Sequence, residues 1–179
     1  MNRTSLLFLF FFAGCTSQTK PLPLYHDATG ETAKLRVIGF TDYTSIDQIL
    51  SCTDNKELGF LRDSAHEERN PPRIVNEGFT KAVPAPEKVP LDYQERLIPA
   101  LGWLRVNSAF FASDGGLCTL DTNWFKPEKD ALYEVRNRLS QAGNICSMQF
   151  FKIDQETGKA EPVKIHKRLA EFLPCQTLQ

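Results

Sequence analysis

Apolar and polar residues alternate along this chain in short bursts, separated by residues that favour turns. Between residues 31 and 40, Ala33, Leu35 and Val37 alternate with Lys34 and Arg36, the period-two pattern of a half-buried strand. Ile46, Ile49 and Leu50 predict a second strand ending at Cys52, although Ser45-Ile46-Asp47 suits the opening of a short helix equally well. Over residues 102–112 one face carries Leu104, Val106, Ser108, Phe110 and Ala112, and the other carries Trp103, Arg105, Asn107 and Phe111. Asp114-Gly115-Gly116 then turns the chain into a returning strand with Cys118, Leu120, Thr122 and Trp124 on one face. Ala131, Tyr133, Val135 and Leu139 alternate with Glu134, Arg136 and Arg138. After a turn at 141–144, Cys146, Met148 and Phe150 share a face, and a loop over 154–159 leads to a closing strand at 162–165. Leu169, Phe172 and Leu173 fall at i, i+3 and i+4, which predicts a short C-terminal helix ahead of Pro174 and Cys175.

Short strands at 8–12-residue spacing predict a mainly β chain folded as an antiparallel β-sandwich, of the Ig/transthyretin-like kind, spanning residues 31–179 as one domain. Residues 54–99 break the pattern. They hold six of the eleven prolines and many charges, so they are expected to form a long irregular insertion, with short edge strands at 73–75 and 95–98.

The first fifteen residues have another design. Arg3 precedes an apolar run from Leu6, and Ala13-Gly14 places two small residues before Cys15. That layout is a secretory signal, too short to cross a bilayer permanently, since spanning takes roughly 20 apolar residues. Phe12-Ala13-Gly14-Cys15 resembles the lipobox of a bacterial lipoprotein signal peptide, with Phe12 where that family usually carries Leu. The resemblance implies a signal peptide over 1–14, lipid (palmitate among the acyl chains) on Cys15, and a membrane-anchored tether over 15–30. Thr16 after the cysteine, where Asp would favour the inner membrane, implies an outer-membrane address facing the periplasm. An ordinary signal peptide with a chance cysteine is the alternative.

Without Cys15, four cysteines remain: Cys52, Cys118, Cys146 and Cys175. An even number in an oxidising compartment predicts two disulfides. Of the three pairings, Cys146 with Cys175 and Cys52 with Cys118 are preferred. No two have the close spacing of a zinc site, so no metal and no other cofactor is expected. With 21 basic and 22 acidic residues there is no field of one sign to draw nucleic acid.

The chemistry-bearing motifs are sparse. There is no G-x-S-x-G elbow, no P-loop and no G-x-G-x-x-G, and His66-Glu67-Glu68 lacks the second histidine of H-E-x-x-H. No catalytic residue is assigned. Asp63, His66, Glu67, Glu68 and Arg69 form a charged cluster on the long insertion, read as a solvated face or as a polar contact patch. Trp103, Tyr93 and Trp124 could stack on a sugar or peptide. Trp124 is expected in the core and Trp103 as an exposed platform.

Thr32-Ala33-Lys34-Leu35-Arg36-Val37, Phe125-Lys126-Pro127 leading into Leu132-Tyr133-Glu134-Val135, and Asn144-Ile145-Cys146 resemble the small disulfide-containing β-sandwich lipoproteins of Gram-negative bacteria. With no catalytic constellation in the sequence, the preferred reading is a non-enzymatic interaction module, in which residues 54–99 dock a protein partner in the envelope. Its candidate contacts are Trp103, Tyr93, His66, Glu67 and Arg69. An inhibitor or immunity protein against a cell-wall hydrolase is one alternative; a protein that binds or hydrolyses an envelope glycan or peptidoglycan is the other.

Overall fold

The computed structural model describes residues 23–39, 41–64, 72–86, 92–111, 116–120, 123–139 and 145–167, and every regular element among them is a strand. Six strands form one sheet: β1 (Thr32–Ile38), β4 (Ile74–Val75), β5 (Tyr93–Pro99), β9 (Leu132–Leu139), β10 (Cys146–Ile153) and β11 (Ala160–Pro162), in the order β11-β10-β9-β1-β5-β4. The other sheet has the order β3-β2-β6-β7, built from β2 (Tyr43–Ser51), β3 (Asp54–Asp63), β6 (Trp103–Phe111) and β7 (Leu117–Leu120); β8 (Trp124–Phe125) also pairs with β6. Pairing is antiparallel except at β1–β9 and β4–β5.

The two sheets share one core. Leu35, Val37, Ile98, Tyr133, Val135 and Phe150 of the first meet Ile46, Leu61, Leu104, Val106 and Phe125 of the second. Phe125 joins the layers, its ring 5.2 Å from Tyr133 and 5.5 Å from Phe150. Each such aliphatic or aromatic side chain stabilises the fold by roughly 1.5–3 kcal/mol when fully buried. The alternations read for β1, β6, β9 and β10 put Leu35, Val37, Leu104, Val106, Phe110, Tyr133, Val135 and Phe150 inward, whereas Leu139, at the end of β9, is exposed. The 45–47 stretch extends as part of β2, as the β-branched Thr44, Ile46 and Ile49 of that strand favour.

Four expectations change. The 95–98 stretch is not a short edge strand but part of the seven-residue β5, which lies between β1 and β4 in its sheet. Cys118 bonds Cys146, with Cα atoms 6.2 Å apart, so neither preferred cysteine pairing holds. The two lie on β7 and β10, one in each sheet, and the bond staples the layers together. Cys52 is disulfide-bonded as well. Next, residues 54–63 are not irregular: they form the ten-residue β3, a hairpin partner of β2. Three register shifts along that pair, which are β-bulges or irregularities, carry side chains from one face to the other and erase the period of two. Finally, the tether assigned to 15–30 ends early. Tyr25 is buried in the core and its hydroxyl donates to the Leu97 carbonyl at 2.7 Å, while Pro23 and Tyr25 exchange backbone hydrogen bonds with Phe60. Gly59 permits that approach: at φ +142° it has no Cβ, and one would lie 2.8 Å from the Pro23 oxygen.

The signal peptide, Cys15, the C-terminal helix and Cys175 lie outside the described residues, as do His66, Glu67 and Arg69.

Candidate functional site

Residues 72–86 cross the outer face of the six-stranded sheet as a strap. At one end Ile74 and Val75 pair with Tyr93 and Gln94 of β5. At the other, the Val83 N–H donates to the Gly158 carbonyl, and the Ala160 N–H donates to the Val83 carbonyl at 3.0 Å. Prolines at 72, 84 and 86 suit a segment that makes no continuous backbone ladder.

Between those ends the strap is held by four buried charges. Arg36 on β1 stands directly opposite Glu95 on β5 and beside Glu134 on β9 in the sheet register. Arg36 Nε and Nη2 donate to Glu95 Oε1 at 2.8 and 2.5 Å, and Nη1 donates to Glu134 Oε2 at 3.1 Å. The same guanidinium reaches up to the strap, donating to the carbonyls of Phe79 (2.7 Å) and Thr80 (3.0 Å). Glu95 Oε2 accepts the backbone N–H groups of Glu77 (2.6 Å) and Phe79 (3.2 Å). Arg136 Nε donates to Glu134 Oε1 at 2.6 Å and its Nη2 to the Pro84 carbonyl at 3.3 Å, while its guanidinium sits 4.3 Å from the Phe151 ring centre. The side chains of Arg36, Glu95 and Glu134 are 7%, 2% and 1% exposed. Two cations and two anions balance in charge, and their spare donors and acceptors are spent on strap backbone, which is what makes burial of such a cluster tolerable.

Around this cluster Phe79 and Ala82 pack on Leu132, Ile153, Phe151 and Ala160. Beside it the strap and sheet enclose a cavity of about 230 Å³, with Ile38, Phe79, Ala85 and Tyr93 on its walls and Arg36 and Glu95 on its floor. Ile74 and Val83 are exposed on the strap, and Lys81, also exposed, lines the same cavity.

A second cleft, of about 350 Å³, opens beside the start of β6. Trp103, half-buried, meets the His166 ring edge-on at 5.1 Å. His166 is in place because residues 163–166 cross from one sheet to the other: the Val163 N–H donates to Phe150, and His166 exchanges two backbone hydrogen bonds with Trp124. Lys126, Lys152, Lys164, Glu128 and Glu161 complete the rim. Lys152 donates to Glu128 at 2.6 Å, and that bond raises the lysine's pKa. Tyr133 closes the floor, its hydroxyl accepting the Glu128 N–H at 2.9 Å; burial pushes this phenol upward, so it stays neutral.

The two aromatic candidates are thus apart: Tyr93 lines the cavity under the strap and Trp103 the cleft at the sheet edge. Trp124 is buried, as expected, but it stacks on Arg105, 4.8 Å away, on the outer side of its sheet. Arg105 in turn donates to the buried Asp47 at 2.5 Å. Arg36, Glu95, Glu134 and Arg136 were not singled out by the sequence pattern. Their one signal is opposite charge at polar positions of three predicted strands, and pairing register is what turns that into a cluster. Among the described residues no three His, Cys, Asp or Glu side chains converge as metal ligands. No protein-family model, no curated protein and no solved structure matches this chain.

Proposed function

We propose that the chain is an exported lipoprotein, cleaved before Cys15 and acylated there, whose β-body is an interaction module for a protein partner at the periplasmic face of the outer membrane. We read that body as a β-sandwich of the Ig/transthyretin-like type, closed by a C-terminal helix. The observation that carries the reading is the strap: a proline-rich segment fixed across a sheet by buried charges, with Ile74, Lys81 and Val83 exposed on it. Conformational entropy is already lost in such a segment, so a partner that docks on it does not have to order it. Residues 72–86 lie along the sheet, which suits a docking face better than a plug inserted into a hydrolase. The Cys118–Cys146 bond supports an oxidising compartment.

The test is paired. Cys15→Ser is expected to shift the protein from the membrane to the soluble periplasmic fraction, or leave it unprocessed, and to abolish incorporation of labelled palmitate; unchanged fractionation and labelling would contradict the anchor. Lys81→Glu with Val83→Glu is expected to remove a discrete partner from complexes crosslinked in cells and isolated from membranes. Both positions are exposed, so thermal unfolding should stay near wild type. The same partners recovered from a folded double variant would contradict docking on the strap.

A further inference from the structure

The cleft beside Trp103 has a composition that the strap does not explain, and we propose that it binds a saccharide carrying a carboxylate or phosphate group. Its volume of about 350 Å³ falls at the lower end of the usual range for small-molecule sites, roughly 300–1,000 Å³. Trp103 gives it one aromatic wall, against which the C–H faces of a sugar ring pack.

The charges around the rim select the ligand. Lys152 is answered by Glu128 at 2.6 Å, and Glu161 is answered by Lys159 at 2.8 Å, which leaves Lys126 and Lys164. Among the described residues neither of those two has an acidic partner, and both are exposed at the rim. The surplus positive charge favours an anion. A simple inorganic anion, however, would meet the carboxylates of Glu128 and Glu161 on the same rim. Carboxylates accept hydrogen bonds and lysines donate them, so a ligand that uses both must carry hydroxyls as well as negative charge. An acidic sugar has both, and a hydroxyl-rich body also suits the aromatic wall. This site is separate from the strap and stands or falls without it.

Isothermal calorimetry on the full-length protein in mild detergent tests the proposal with four probes: trigalacturonate, glucosamine 6-phosphate, neutral triacetylated chitotriose and a single-stranded oligonucleotide. At least one acidic probe is expected to bind about tenfold more tightly than chitotriose, and which one does so separates carboxylate from phosphate recognition. Lys126→Glu with Lys164→Glu should bring that probe down to the neutral level while thermal unfolding is unchanged, and Trp103→Ala should weaken it as well. The proposal is overturned by silence from both acidic probes at millimolar concentration, by equal binding of acidic and neutral sugars, or by binding that survives the double lysine change. A single-stranded oligonucleotide binding more tightly than either acidic sugar would also overturn it.

Discussion

Arg36 touches three strands' worth of chemistry at once: its own β1, Glu95 on β5 and Glu134 on β9, with the strap carbonyls of Phe79 and Thr80 above it. Removing it would leave two carboxylates buried with one cation between them. Arg36→Met should therefore lower stability in urea by about 3–5 kcal/mol, the usual cost of breaking a buried ion pair from one side. A loss under about 1 kcal/mol would mean that water already reaches the cluster. The tyrosines give a pH prediction of a different sign from acid denaturation. Burial raises the phenol pKa of Tyr25, most strongly, and also of Tyr43 and Tyr133. A phenol that holds its proton more tightly folded than unfolded contributes stability that is complete below the ordinary tyrosine range, near pH 10, and is lost as pH rises through it. Urea midpoints should fall between about pH 9 and pH 11, and Tyr25→Phe should flatten that fall. A midpoint flat over the same range in the wild type would contradict it.

Among the elements, β3 and the segment before β1 depend on each other through Gly59. A methyl group there would strike the Pro23 oxygen and the Tyr25 Cα, both 2.8 Å from its position, in a backbone conformation that side chains rarely adopt. Gly59→Ala should cost about 1–3 kcal/mol and expose the chain near His26 to added protease; wild-type stability and protection would show that the contact is not made. This same junction marks the limit of what the sequence pattern discloses. Strands with one core face, such as β1 and β6, were legible because the placing of apolar residues at every second position survives along most of their length. In β3 it does not, since register shifts change which side chain faces inward, and its charges then resemble a loop. Tyr25 reads as part of a tether because burial of one aromatic leaves no periodicity. The strap's prolines were legible as a departure from strand. That it is pinned was not, because Arg36 and Glu134 look like solvent-facing positions until their register partners are known.

At the scale of the whole molecule, two sheets around one core are joined covalently at Cys118 and Cys146, which are 28 residues apart. Closing a loop of that length in the unfolded chain is worth about 3–4 kcal/mol, so Cys118→Ser should lose stability of that order, and the wild-type mature protein should show no reactive thiol when denatured without reductant. Two or more reactive thiols would remove the crosslinked account. The address on Cys15, the crosslinked body and the strap then form one proposal: a fixed surface carried on a stable domain and held at a membrane. Its weight rests on the strap being fixed. Amide hydrogen exchange reads this directly at Glu77 and Phe79, whose N–H groups are held by Glu95 in a segment with no strand pairing at those two residues. Both amides should be protected in the wild type and lose that protection in Glu95→Gln while the amides of β1 and β9 keep theirs. Exchange at Glu77 and Phe79 as fast as at a free loop in the wild type would contradict it.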